Sequence, residues 1–173
     1  PDAHTFKVEE SDGSHLGLLY MDYHPRASKN GGAWCGHYRS HFQTQKGEEI
    51  HPLVTVVTNF TTPTENKPAL LSMDEVETLF HEFGHALDGL FAQNKYPQTN
   101  IPRDFVELPS QIMEHWATHP KVIKSYAKHY KTGESIPDEL IKKIEKSSYF
   151  NQGFANVEYL AAAMLDMAYH TLS

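Results

Sequence analysis

Residues 72–92 constrain this chain more than any other segment. Ser72 followed by Glu75 has the form of a capping box, and Val76, Phe80, Phe83, Leu87 and Leu90 then recur at spacings of 4, 3, 4 and 3. That period predicts an amphipathic helix over about 72–92. A second stripe runs beside the apolar one and carries Glu77, His81, His85 and Asp88.

Positions four apart on a helix differ by about 40° around the axis and about 6 Å along it. His81 and His85 therefore project from one face, one turn apart. Two imidazole nitrogens at that separation can bind one Zn²⁺ at about 2.0–2.1 Å. Glu82 is turned too far round to bind the same ion, yet it can reach a water in the ion's open position. This is the H-E-x-x-H arrangement, with the glutamate as general base. In a chain with 12 histidines, shuffling yields roughly 0.07 such motifs by chance, and placement inside a capped helix lowers that further.

A catalytic zinc needs a third protein ligand. The segment 104-DFVELPSQIMEHW-116 is placed to fold back on the motif, since about ten loop residues are enough to reverse direction. Glu107, Glu114 and His115 can share a face there, and spacing does not choose among them. Glu77 and Asp104, each a turn before a candidate ligand, are placed to hydrogen-bond a ligand from behind. The plainer reading of both is a solvated or helix-start acid.

Upstream of residue 70 the pattern is different. Runs rich in β-branched and aromatic residues, 5-TFKV-8, 16-LGLLYMDY-23, 33-AWCGHYRSHF-42 and 53-LVTVVTNF-60, alternate with turn signals such as SDGS, PRASKNGG and QKGEE. A small sheet of three to five strands is predicted. Downstream, helices are predicted at about 103–117, 120–131, 137–148 and 153–172, with Pro109 tolerable only in a first turn or at a kink. The last, 154-FANVEYLAAAMLDMAYH-170, is apolar on most sides and calls for burial against a partner. The fold class expected is α+β, mainly α: an N-terminal sheet over 1–70 and a bundle of about five helices over 71–173.

Other classes fall away on composition. A net charge of −7, spread along the 173 residues, leaves no basic face for nucleic acid and no polybasic patch for lipid. No run of 18 or more apolar residues exists, so the chain reads as soluble. Lone Cys35 rules out an internal disulfide and a Cys-x-x-Cys zinc site. A thiol hydrolase built on Cys35 with His37 or His41 is the rival class, but a single cysteine in a strand pattern is usually packed. Beginning at Pro1 and ending within a helical pattern, the sequence reads as a piece of something longer.

Two stretches, 75-EVETLFHEFGHALDGLF-91 and 103-RDFVELPSQIMEHW-116, together with LYMDYHPR, GGAW and VTNFTTPT upstream, resemble the thimet oligopeptidase family of zinc metallopeptidases. The likeness is strongest to its peptidyl-dipeptidase (dipeptidyl carboxypeptidase) branch and covers nearly the whole chain. It implies a zincin-like catalytic domain, here a single partial one over 1–173, with one zinc per chain. By resemblance His81, His85 and Glu107 are the ligands and Glu82 the catalytic acid/base, which leaves Glu114 and His115 as structural residues. The strand 53–60 would lie at the sheet edge, with Thr58, Asn59 and Phe60 against an extended peptide. Asp88 stands where relatives carry histidine. Family members are several times longer, and a Gly- and Tyr-rich segment implied to supply oxyanion donors is not recognisable here. The resemblance implies short peptides as substrates and release of C-terminal dipeptides. Endo-acting cleavage, or a zinc-binding but inactive piece, is the alternative. A monomeric, cytoplasmic protein is expected.

Overall fold

The structure is a computed structural model that describes residues 2–97 and 101–172. Alternating burial builds the first half. In β2 (His15–Asp22) Gly17, Leu19 and Met21 are buried, and in β6 (Leu53–Val57) Val54 and Val56 are, so each strand offers one apolar face. With β1 (His4–Glu9) and β3 (Trp34–Arg39) they form a mixed sheet in the order β1-β2-β6-β3. β2 and β6 run parallel, and the two outer pairs are antiparallel. Two very short strands, β4 (Phe42–Gln43) and β5 (Glu49–Ile50), make a separate hairpin that the sequence pattern does not announce.

α1 (Met73–Phe91) lies on the apolar face of the sheet. Ala86 and Leu90 complete the core with Leu19, Met21, Val54 and Val56, and Leu79 and Phe83 pack at its margin. Phe80 and Leu87 belong to the flank instead, because α1 is covered from two sides: the sheet on one, α2 (Leu108–Thr118) on the other. α2 begins about a turn later than the periodicity predicts. Pro109 lacks an amide hydrogen and fits only the first turn, so residues 103–107 form turns instead of helix.

The chain divides into two compact units, Pro1–His119 and Pro120–Ser173. Their boundary falls after α2, since α1 is built onto the sheet and α2 onto α1. The second unit holds α3 (Pro120–Tyr126), α4 (Asp138–Ser148) and α5 (Gln152–His170). Ile123 and Ile141 are its buried side chains, and a bridge between Lys128 and Ser135 turns the chain back after α3, which stops short of the expected residue 131. α5 buries no residue: Phe154, Val157, Leu160, Met164 and Leu165 are all exposed. Among the described residues the helices number five, as expected; α1 and α2 pack on each other in the first unit, and α5 in the second buries no residue. Among the described residues no helix is long and apolar enough to cross a membrane.

A correction concerns the edge. β6 lies between β2 and β3, so its backbone is paired on both sides and has no free edge to offer. It also ends at Val57. Thr58, Asn59 and Phe60 are sewn into the loop after β2. Thr58 donates its amide to the Asp22 carbonyl (2.8 Å) and its hydroxyl to the Tyr23 carbonyl (2.9 Å). The Phe60 amide reaches the Tyr23 carbonyl (2.8 Å), and the Asn59 side-chain amide donates to the carbonyls of Asn30 (2.8 Å) and Gly32 (2.7 Å). Thr58 and Phe60 are buried and Asn59 is half-buried, so in this structure the triplet shapes the loop. The free edge next to α1 belongs to β3.

Lys29 ties this loop together. Its side chain is 3% exposed, and the ammonium group donates to the Asp22 carboxylate (2.9 Å) and to the carbonyls of Asp22 (3.1 Å), His24 (2.9 Å) and Thr58 (2.5 Å). Burial alone would raise the pKa of Asp22, but hydrogen bonds from Lys29 and Arg26 outweigh it and hold the carboxyl below its ordinary value. A depressed carboxyl stabilises the fold above about pH 4, and that contribution is lost as pH falls through the folded-state value. Replacing Lys29 by Met is expected to cost about 1–3 kcal/mol, because it takes a bond from the carbonyls of His24 and Thr58 and leaves the Asp22 carboxylate to Arg26 alone. The loss is read from the denaturation midpoint of the intact protein, and the variant's stability should fall less steeply than the wild type's as pH drops below about 4.

Candidate metal centre

The capping box read from sequence forms. The Ser72 hydroxyl accepts from the Glu75 amide (3.2 Å), and the Glu75 carboxylate accepts from the Ser72 amide (2.8 Å). The same carboxylate accepts from the Thr61 amide (2.6 Å), so the start of α1 is fixed to the chain leaving the sheet. Two turns on, the His81 and His85 rings face each other edge-on, with centroids 5.0 Å apart and planes at 81°.

α2 reaches this face because Gly84 lets it. A β-carbon built on Gly84 would lie 2.6 Å from the Pro109 carbonyl oxygen and 2.6 Å from the Ser110 Cα, closer than any real methyl approaches backbone. The first turn of α2 thus rests on the backbone of α1 at Gly84, one residue before His85. Glu107, immediately before α2, puts its Oε2 3.0 Å from His85 Nε2 and 3.3 Å from His81 Nε2. Buried Ser110 lies with its hydroxyl 2.8 Å from Glu107 Oε2 and 2.9 Å from the Glu107 carbonyl. That bond, helped by His85 and His81 and opposed by burial, holds the Glu107 carboxyl below its ordinary value.

The three groups fit a zinc ion. Ligand atoms of His81, His85 and Glu107 all lie within 4.8 Å of one another. Two atoms each about 2.05 Å from one ion at tetrahedral angles sit about 3.3 Å apart, close to the 3.0 and 3.3 Å found. Two imidazoles and one carboxylate leave a fourth position open, the donor set of a catalytic site and not of a closed structural one.

Glu82 is buried beside this cluster. Burial raises its pKa, Glu107 adds to the rise, and His81 and His85 oppose it. It opens onto a cavity of about 490 Å³ lined by Ala33, by Trp34, Cys35 and His37 of β3, by His81, Glu82, His85 and Asp88 of α1, and by Ile101, Val106 and Glu107. Gly89 admits the His37 ring, since a β-carbon there would lie 2.0 Å from His37 Nε2. Burial lowers the pKa of His37, with Asp88 pulling the other way, so the imidazole is neutral near pH 7.

The remaining residues singled out in the sequence fall as follows. Cys35 lines the cavity, but burial, with Glu82 and Asp88 adding to it, pushes its thiol up to about 12. A thiol so weakly acidic supplies almost no thiolate at neutral pH, so the rival hydrolase has no nucleophile. His41 is buried elsewhere, its Nδ1 3.1 Å from the Asn94 amide. Glu77 and Asp104 are both exposed, and among the described residues neither forms an ion pair. Instead Glu114, two turns along α2 from Glu107, puts Oε1 2.6 Å from His81 Nδ1. Two contacts were missed in the sequence. Ser110 has a signal, a hydroxyl three residues after a candidate ligand at a helix start. The only signal for Glu114 is its seven-residue spacing from Glu107. His115 is exposed.

Comparison with known proteins agrees with this chemistry. The model described as "Peptidase family M3" matches residues 1–173. The dipeptidyl carboxypeptidase of Escherichia coli (strain K12) is 48% identical over 99% of this chain and 25% of its own length. Organellar oligopeptidase A, chloroplastic/mitochondrial, of Arabidopsis thaliana is 39% identical over 98% of this chain and 22% of its own. Oligopeptidase A of E. coli (strain K12) is 33% identical, over 98% and 26%. The chain thus spans about a quarter of the length of these relatives.

Because α2 sits on Gly84, Gly84→Ala is expected to push Pro109 and Ser110 away and carry Glu107 off the two histidines. Zinc affinity, measured by chelator competition on the intact protein, should fall at least about 10-fold. Unchanged affinity would mean that the helix contact does not place the carboxylate.

Proposed function

This chain belongs to peptidase family M3, and from that membership we propose that the intact protein is a zinc-dependent peptidase that releases dipeptides from the C-termini of short peptides. The observation that carries the reading is the buried Glu82 carboxylate, set beside two imidazoles and a carboxylate that converge in a cavity bordered by a free strand edge.

His81, His85 and Glu107 would hold one zinc ion per chain. When bound, zinc polarises a peptide carbonyl and acidifies a water molecule. Glu82 accepts the proton as that water attacks the scissile carbonyl, and then delivers it to the leaving amine. No covalent acyl-enzyme forms, because water and not a side chain is the nucleophile. An extended peptide adds to the outer edge of β3, whose residues Trp34, Cys35 and His37 border the cavity, and is thereby aligned past Glu82.

Identity supports the exopeptidase branch: 48% with a dipeptidyl carboxypeptidase against 39% and 33% with oligopeptidases. Cleavage at internal bonds is the second reading, favoured by the same oligopeptidases. The test is to incubate the intact protein with an N-terminally blocked peptide and identify products by mass, with and without chelator. C-terminal dipeptides alone, lost with chelator, are expected. Internal cuts would move the protein to the endo-acting branch. Glu82→Gln is expected to slow hydrolysis by about 10²–10⁴-fold while leaving zinc content unchanged. An active Glu82→Gln enzyme would contradict the assignment of the base.

A further inference from the structure

We propose that Glu114 is the residue that positions His81 for the metal, fixing which nitrogen of its ring faces the ion. The proposal rests on the zinc reading above and adds to it a group outside the ligand set.

A neutral imidazole carries one N–H and one lone pair, and a metal takes the lone pair. The Nε2 atoms of His81 and His85 both point at Glu107 Oε2, so Nε2 is the ligating atom and the hydrogen of His81 belongs on Nδ1. Glu114 Oε1 stands 2.6 Å from that Nδ1, in place to accept its hydrogen. The contact locks the tautomer and the ring angle, and a carboxylate behind an imidazole makes the opposite nitrogen a stronger donor.

Placement on α2 explains why one helix supplies both groups. Glu107 and Glu114 are seven residues apart, two turns, and so lie on one face. With α2 seated on Gly84, that face brackets His81: Glu107 meets one nitrogen and Glu114 the other. Among the described residues no carboxylate stands behind His85, whose only acidic contact is Glu107 through Nε2. The two imidazoles are therefore not equivalent, and Glu114 acts through His81 alone.

The test measures zinc affinity of the intact protein by chelator competition, for wild type, Glu114→Ala, Glu114→Gln and, as a neighbouring control, His115→Ala. Glu114→Ala is expected to weaken zinc binding about 10–100-fold. Glu114→Gln keeps an acceptor oxygen without the charge and should fall between Glu114→Ala and wild type, while His115→Ala should match wild type. Thermal midpoints measured in chelator should be the same for all four proteins, which separates a role toward the metal from a role in folding. Glu114→Ala and Glu114→Gln both within about threefold of wild type would overturn the proposal. Failure of wild type itself to bind zinc would overturn the metal reading and this inference with it. Wild-type binding with no effect at position 114 would overturn the inference alone.

Discussion

The contact of α2 with Gly84 is the constraint on which the site depends. Histidines one turn apart on α1 are only two donors, and a third must arrive from another element at the same height along the helix. The missing side chain of Gly84 brings α2 against the α1 backbone, and its first turn lands between His81 and His85. Pro109 sets where that turn begins, so that Glu107 is the last residue before the helix and Ser110 the one that bonds its carboxylate. One glycine and one proline thereby bring Glu107 to two histidines that lie 22 and 26 residues earlier in the sequence, completing the candidate metal centre.

The opposite wall follows the same logic. Gly89, one turn beyond His85, makes room for the His37 ring, so β3 closes over α1 and leaves a cavity between strand and helix. The interior position of β6 is what puts β3 at the edge. That order comes from the parallel pairing of β2 with β6, across a long connection that first lays down β3 and the β4–β5 hairpin. Lys29 holds the loop between β2 and β3 by bonding to Asp22, His24 and Thr58 at once.

How much was legible in the sequence follows from which interactions are local. α1, its capping box and the His81–Glu82–His85 face depend on residues within a few positions of one another, and the structure shows that helix and that capping as read. Strand number was readable within limits, but strand order was not. Periodicity says which face of 53–57 is buried and nothing about its neighbours, so β6 was expected at the edge and lies inside. Thr58, Asn59 and Phe60 were expected at the substrate because the strand was run on to residue 60. Their hydrogen bonds go to residues some 30 positions earlier, which no local pattern reports. The third ligand shows the same boundary. Spacing left Glu107, Glu114 and His115 open, resemblance chose Glu107, and only the packing of α2 reveals that Glu114 also touches His81. α5 illustrates the reverse case: its apolar character was plain in the sequence, yet the described residues supply nothing that buries it.

The central claim is that two imidazoles and one carboxylate, without sulfur, hold the metal. Cys35 lines the same cavity, which makes the alternative concrete. X-ray absorption at the zinc edge of the intact, zinc-loaded protein tests it most directly. The account predicts a shell of nitrogen and oxygen at about 2.0–2.1 Å with the outer scattering of two imidazole rings. A sulfur scatterer at about 2.3 Å, or fewer than two imidazoles, would contradict it.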